Sequence, residues 1–167
     1  MSMIFRSRRQ RIFSIVVCGI YLLLLTWLVL GKFTFHPDRF RGVNWIPFYY
    51  TEENSWHFRE VVYNVLAFVP AGVYASAFLA KKPVWARILP VFGLSVLYET
   101  LQWVLVIGMT DVTDVLMNTL GGLIGLGLFR LLGKIFPRRR MAVINGVGLG
   151  VECAGLALLL FLTLMNL

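Results

Sequence analysis

Five long runs of apolar residues constrain the fold of this chain more than any other feature of its sequence. A helix needs about 20 mostly apolar residues to cross the hydrocarbon core of a bilayer. Five segments meet that requirement, at residues 12–30, 61–79, 88–107, 112–132 and 142–164. We therefore expect an all-α, polytopic membrane bundle of about five transmembrane helices that forms a single domain over residues 1–167. The first run lacks a small-residue cleavage site, so we expect it to remain as an uncleaved span.

The distribution of basic residues predicts how these helices are oriented. Three segments are basic. The amino terminus has Arg6, Arg8, Arg9 and Arg11, the loop after the second run has Lys81, Lys82 and Arg87, and the loop after the fourth run has Lys134, Arg138, Arg139 and Arg140. The loop 31–60 balances four basic residues with four acids, and the turn 108–111 has no basic residue. Because loops rich in Lys and Arg stay in the cytoplasm, we expect a cytoplasmic amino terminus and an extracellular carboxyl terminus. These orientation signals account for the net charge of +8, so no nucleic-acid partner is expected.

The fourth run carries polar and glycine residues along one side. At 100° per residue, one arc of about 100° holds Asp111, Asp114, Asn118, Gly121, Gly122 and Gly125. The other side is leucine-rich and suits lipid. The spacing of Gly121 and Gly125 lets two helix backbones approach closely. We therefore expect the three glycines to pack against another helix, with the acids on the same face nearer the outer surface.

Two further runs also carry polar residues. In the third run Glu99 and Gln102 share a stripe with Ser95 and Val106, and Glu99 is expected roughly 13 Å below the outer end of the span. In the second run Asn64 heads a stripe of small residues. A charged group at the membrane centre costs about 2.5–3.5 kcal/mol. We therefore predict a polar cavity that faces outward and binds a ligand, lined by Asn64, Glu99, Gln102, Asp111, Asp114 and Asn118.

Each of these residues also has a structural interpretation. Asp111 is a candidate cap for the fourth helix, with Thr110 and Thr113 as rivals. Asn64 is a candidate for an interhelical hydrogen bond. Glu99 favours a functional role, because no basic residue lies at the centre of any span to pair with it. Glu152 in the last run is a weaker candidate.

The loop 33–58 is rich in aromatic residues, which suit the headgroup layer. An interfacial anchor is the favoured interpretation, and contact with a ligand is the alternative, with Arg39, Arg41, Asn44, Pro47 and Phe48 as its candidate residues. The two arginines could bind a phosphate. His36 and His57 have no fixed spacing to acids, so we assign no metal site.

Four segments in this order resemble the VanZ-like integral membrane family, which is named for a member associated with low-level resistance to the lipoglycopeptide teicoplanin. They are "NWIPF" at 44–48, "NVLAFVPAGVY" at 64–74, "SVLYETLQW" at 95–103 and "TDVTDVLMNTLGGLIG" at 110–125. The resemblance covers about residues 15–132 and leaves out the last helix. It implies that the signature positions are Asn44, Pro47, Phe48, Asn64, Pro70, Gly72, Glu99, Gln102, Asp111, Asp114, Asn118 and Gly121. Many members have an arginine shortly before the first aspartate, whereas "IGMTD" has none.

This resemblance implies a protein of the bacterial cell membrane that affects glycopeptide susceptibility. Its expected partners are membrane lipids and a lipid-linked cell-wall precursor or lipoglycopeptide, with no cofactor and with the oligomeric state open. One alternative is a membrane enzyme acting on a lipid headgroup, in which Asp111, Asp114 and Glu99 hold a divalent cation. Another is a small proton-coupled transporter that uses Glu99 and Glu152. We favour a non-catalytic protein and assign no catalytic residue, because no nucleophile motif or glycine-rich phosphate loop is present.

Overall fold

A computed structural model describes residues 4–30, 42–48, 57–107 and 110–165 of the chain. These residues form five α-helices: α1 (Arg8–Leu30), α2 (His57–Phe78), α3 (Val84–Leu105), α4 (Val112–Ile135) and α5 (Arg140–Met165). All five are long and apolar enough to cross a membrane. The predicted all-α, polytopic membrane fold is therefore confirmed, and each predicted run falls on one helix.

The structure also contains two short strands that the sequence analysis did not predict. They are β1 (Val43–Asn44) and β2 (Thr110–Asp111), which pair in parallel with Asn44 opposite Asp111. The pair joins the segment before α2 to the turn between α3 and α4. Each strand is only two residues long, so neither shows the alternation of apolar and polar residues by which strands are recognised.

The contacts within the chain divide it into two compact units. Unit 1 contains Met1–Leu24 and Leu132–Leu167, and unit 2 contains Leu25–Leu131. Helices α2, α3 and most of α4 therefore belong to unit 2, whereas α5 and most of α1 belong to unit 1. That the chain is one domain stays a prediction.

In unit 2 the backbones of α2 and α4 touch at glycines. A Cβ atom on Gly121 would overlap the Val65 carbonyl oxygen, and one on Gly125 would overlap the Val69 carbonyl oxygen. A Cβ on Gly72 of α2 would in turn overlap the carbonyl of Gly122. This is the close helix approach that small residues permit in membranes. The two helices can lie this close together because the glycines have no side chains.

Helix α3 is joined to the end of α1 that belongs to unit 2. The hydroxyl groups of Tyr98 and Thr26 are hydrogen-bonded at 2.7 Å, and the Gln102 side chain donates to the Val29 carbonyl at 3.2 Å. The Tyr98 ring also packs edge-on against Phe68 of α2, with ring centroids 6.2 Å apart. Tyr98 therefore connects α1, α2 and α3 in one buried contact.

In unit 1 the helices α1 and α5 share a polar contact. The Asn145 side chain donates to the Ser14 hydroxyl at 2.8 Å, and that hydroxyl donates to the Gln10 carbonyl at 2.9 Å. Both Ser14 and Asn145 are fully buried, and Val17 and Met141 lie among the buried apolar side chains of the same unit. An amide in this position is tolerated because its partner satisfies it.

The packing of α2 against α4 predicts that Gly125→Ala destabilises the protein. The added methyl group would meet the Val69 carbonyl and the Val73 amide, which belong to the backbone and have little freedom to move. We expect a loss of about 1–3 kcal/mol in unfolding free energy, measured by denaturation of the purified protein in detergent.

The matched control is Gly127→Ala on the same helix, where nothing lies within 4 Å of the new methyl group. That variant should be neutral or slightly more stable, because alanine is the better helix former. Equal unfolding of the two variants would contradict the close packing of α2 and α4.

Candidate functional site

Polar side chains from three helices meet at one end of unit 2. Helices α2 and α4 begin at this end and α3 finishes there, so residues distant in the sequence are brought to one level. We call this group the polar cluster; it consists of Asn44, Asn64, Ser95, Glu99, Asp111, Asp114 and Asn118. The segment 42–48, which includes β1, lies against it.

The shape of the cluster begins with the way in which α3 ends. Val106 has the left-handed conformation, with φ of 54°. Its amide donates to the Trp103 carbonyl, and the Ile107 amide donates to the Gln102 carbonyl at 3.1 Å. These two bonds are a Schellman cap, which usually places glycine where Val106 stands. The cap ends the helix two residues earlier than predicted and turns the chain back along α3.

The returning chain provides the partner of Glu99. The Asp111 amide donates to Oε2 of Glu99 at 3.1 Å, and the Thr110 hydroxyl donates to the Glu99 carbonyl at 3.2 Å. Glu99 lies six residues before the end of α3, or about 9 Å along the axis. It is therefore nearer the end of its helix than the sequence analysis expected, because the helix is shorter. Its side chain is only 5% exposed and is paired with a main-chain N–H group instead of a basic residue.

Asp111 uses both of its carboxylate oxygens within the protein. Its Oδ1 accepts the Thr113 amide at 2.7 Å at the start of α4, and its Oδ2 accepts the Asn44 side chain at 3.1 Å. The hydroxyl of Thr113 accepts the amide of Phe48 at 3.0 Å. Asp111 thus satisfies a free amide of α4 and holds the segment 42–48 in place, which is the capping role considered in the sequence analysis.

Two more hydrogen bonds connect the helices below Asp111. The Asn64 side chain of α2 donates to Oδ1 of Asp114 at 2.6 Å. One turn deeper, the Asn118 side chain donates to the Ser95 hydroxyl of α3 at 2.8 Å. Asn64 therefore makes the interhelical bond that was one of its two interpretations. Ligand contact by these residues stays a prediction.

Two acceptor atoms of the cluster have no hydrogen-bond partner among the described residues. They are Oδ1 of Asn118, which is buried, and Oε1 of Glu99. The carboxyl groups of Asp111 and Asp114 lie within electrostatic range of Glu99. A buried acceptor without a donor is costly and calls for an explanation. Chemically, the cluster can accept hydrogen bonds from a hydroxyl, amide or amine group.

The segment 42–48 places apolar side chains beside the cluster. Trp45, Ile46 and Phe48 are 74%, 59% and 51% exposed, and Pro47 is also exposed. Asn44 fixes the turn, because its Oδ1 accepts the Ile46 amide at 3.2 Å. Phe48 has φ of 57°, so it shares with Val106 a conformation that side chains rarely adopt. Exposed rings on a fixed turn are typical of an interfacial anchor.

The remaining predicted residues lie elsewhere. Gln102 donates to Val29 of α1 instead of to a member of the polar cluster. Arg39, Arg41 and His36 lie outside the described residues, and the side chain of His57 is not described. In the described part of the chain no three His, Cys, Asp or Glu side chains are arranged to hold a metal ion. The enzyme alternative in which Asp111, Asp114 and Glu99 bind a divalent cation stays a prediction.

The sequence analysis did not name Ser95 and Thr113 as site residues, although both receive hydrogen bonds at the cluster. Ser95 could have been found, because it stands one helical turn before Glu99 on the same stripe. Thr113 was considered only as a cap for α4. Its actual role depends on the position of the Phe48 amide, which no sequence pattern indicates.

Comparison with known proteins identifies the family of this chain. The family model for VanZ/LLP1 matches residues 18–133, a region that contains every member of the polar cluster and ends before α5. "Protein VanZ" of Enterococcus faecium is 34% identical over 139 residues, which cover 78% of this chain and 82% of that protein. No solved structure shows a significant match. The predicted family resemblance is confirmed, and this multi-pass membrane chain belongs to the VanZ/LLP1 family.

Proposed function

We propose that this protein lowers the susceptibility of a bacterium to teicoplanin-type glycopeptide antibiotics by binding a lipid-linked or lipidated molecule at the polar cluster. The observation that carries the proposal is a pair of acceptors, Glu99 Oε1 and Asn118 Oδ1, that have no hydrogen-bond partner among the described residues and lie close to a turn with exposed apolar side chains. Family membership supports the link to these antibiotics, since the family takes its name from a member associated with teicoplanin resistance.

The chemistry of the cluster favours an amphiphilic ligand with a donor-rich head. Open carboxyl and amide oxygens accept hydrogen bonds from hydroxyl and amide N–H groups. The exposed side chains of Trp45, Ile46 and Phe48 offer apolar surface next to them, where an acyl chain can lie along the protein. A lipid-linked cell-wall precursor and a lipoglycopeptide both combine these two parts.

Backbone strain on both sides of the cluster supports a binding role. Val106 and Phe48 are the non-glycine residues with positive φ in the described part of the chain, and both flank the polar cluster. Such conformations cost about 1–3 kcal/mol each and are concentrated at functional sites. They fix the turn after α3 and the segment 42–48 before a ligand arrives, which reduces the entropy lost on binding.

The charge distribution within unit 2 supports an extracellular position for the cluster. Lys81, Lys82 and Arg87 lie where α2 ends and α3 begins, at the opposite end of these helices. Arg87 is fixed there by hydrogen bonds to the carbonyls of Lys82 and Ala80. Because basic loops remain cytoplasmic, the proposal has the polar cluster accessible from outside the cell.

The antibiotic link is tested by expressing variants in a susceptible bacterium. We expect Glu99→Gln and Asp114→Asn to return the minimum inhibitory concentration of teicoplanin towards that of cells without the protein, because each replaces an acceptor oxygen of the cluster by an amide NH2 group at almost unchanged shape. A glycopeptide without a lipid chain, tested in parallel, shows whether protection depends on the tail.

The control variant is Thr100→Ala, at an exposed position of α3 where the hydroxyl donates to the Val96 carbonyl within the same helix. It should protect as well as the wild type. Membrane abundance and thermal unfolding are measured for all variants. If Glu99→Gln and Asp114→Asn are stable and abundant and still give full protection, the cluster is not the site.

The orientation is tested by cysteine labelling of intact cells after Cys18 and Cys153 are replaced by alanine. A Trp45→Cys variant should react with a membrane-impermeant maleimide, because Trp45 is expected outside the cell and is exposed. An Arg138→Cys variant should react only after the membrane is permeabilised. The reverse pattern would place the polar cluster on the cytoplasmic side and end the proposal as stated.

A further inference from the structure

Helices α1 and α5 of unit 1 run parallel and begin at the same end. Ser14 is hydrogen-bonded to Asn145 close to the two starts, and further along both helices Cys18 lies close enough to Glu152 to interact with its charge. Both pairs of residues advance towards the carboxyl ends of the two helices, as they do when helices run parallel. The segments that lead into α1 and α5 therefore lie together.

Those segments bring eight basic side chains to one place. Residues 6–11 contribute four arginines, and residues 134–140 contribute one lysine and three arginines. We call this group the basic end. All but Arg140 are exposed, and the only acid of unit 1 is Glu152, which lies far along α5. Neither helix has an acid in its first turn, so the positive ends of two helix dipoles add to the same excess of charge.

Apolar side chains follow directly after these cations. On α1 the large side chains of Ile12, Phe13 and Val16 are about half exposed, and on α5 Val147 is 63% exposed. The basic end therefore sits at the level where phospholipid phosphates meet the acyl chains. This position argues against a binding surface for a soluble polyanion, because a soluble polyanion would make no contact with the exposed apolar side chains that follow the cations.

The basic end contains far more arginine than lysine. Orientation in the membrane requires only positive charge, and lysine and arginine serve it equally. In the basic end seven of the eight cations are arginines, whereas the loop 79–83 of unit 2 uses Lys81 and Lys82. Arginine binds phosphate through two parallel N–H groups, which lysine cannot do. This composition favours recognition of phosphate over orientation alone.

We propose that the basic end is a binding site for anionic phospholipid headgroups of the surrounding bilayer, with a preference for a lipid that carries two phosphates. Basic residues that converge from two helices on the cytoplasmic side provide this kind of site. The bound headgroup offsets the repulsion among the arginines and holds α1 and α5 together. The site is independent of the polar cluster and of any effect on antibiotics.

The test uses the purified full-length protein in detergent, with thermal unfolding and native mass spectrometry as readouts. The probes are diphosphatidylglycerol, phosphatidylglycerol, phosphatidylcholine and inorganic phosphate. We expect the largest rise in melting temperature and the most retained lipid with diphosphatidylglycerol, less with phosphatidylglycerol and none with phosphatidylcholine. High salt should weaken the effect, because it screens exposed charges. An equal rise with inorganic phosphate would overturn the proposal, since it would indicate a site for the free ion.

Matched double variants show whether the location matters. Arg138→Gln with Arg139→Gln should abolish most of the stabilisation by diphosphatidylglycerol. The control is Lys81→Gln with Lys82→Gln, which removes the same charge from an exposed loop of unit 2. It should keep the lipid effect. If both double variants lose the effect equally, the binding is diffuse and there is no site at the basic end.

Discussion

The hydrogen bond from the Asp111 amide to the Glu99 carboxylate is the interaction on which the arrangement of unit 2 depends. A backbone amide that is buried where the chain leaves a helix must find a partner inside the protein, because an unpaired buried amide is costly. The turn after α3 meets this requirement by folding back onto α3, where Glu99 receives the amide. Asp111 then receives the amide of Thr113, so α4 begins with its backbone satisfied. Glu99 thus stabilises the turn that contains Asp111, and Asp111 stabilises the start of the helix that contains Asp114. Replacing Glu99 by an apolar residue would leave the Asp111 amide without this acceptor, and the turn would then depend on the Thr110 hydroxyl and on the pairing of β1 with β2.

This arrangement separates acids with a structural role from groups that remain free to bind. Both oxygens of Asp111 are occupied, so its contribution to a ligand would be electrostatic. Within the described part of the chain, one oxygen of Glu99 is hydrogen-bonded and the other is not, and Asn118 donates to Ser95 while its side-chain oxygen has no partner. The cluster can therefore be rigid and still have acceptor oxygens that are available for further hydrogen bonds. Rigidity comes also from the contact of α2 with α4, where glycine backbones touch and no side chain can rearrange.

The sequence predicts the helices of this protein well and predicts the contacts of its polar residues only in part. Length and hydropathy are sufficient for the five spans, and the helical period places Asp114 and Asn118 on the face that meets α2 and α3. The partner of Glu99 could not be predicted, because a main-chain N–H group has no signature in the sequence. The early end of α3 was missed for a similar reason, since Val106 stands where glycine would normally signal a helix terminus. Gln102 lies on the predicted stripe, but its side chain reaches α1 instead of the cluster.

The contact between Ser14 and Asn145 has a consequence for how the protein is made. These residues are 131 positions apart, and α1 and α5 are the first and last helices of the chain. During synthesis α1 enters the membrane before α5 is made, so Ser14 lacks its native hydrogen-bond partner until about 130 further residues have been added. The sequence of unit 2 is therefore complete before that of unit 1. A nascent chain that stalls before α5 would carry the residues of the polar cluster together with a first helix whose residues before Leu25 lack their native partner.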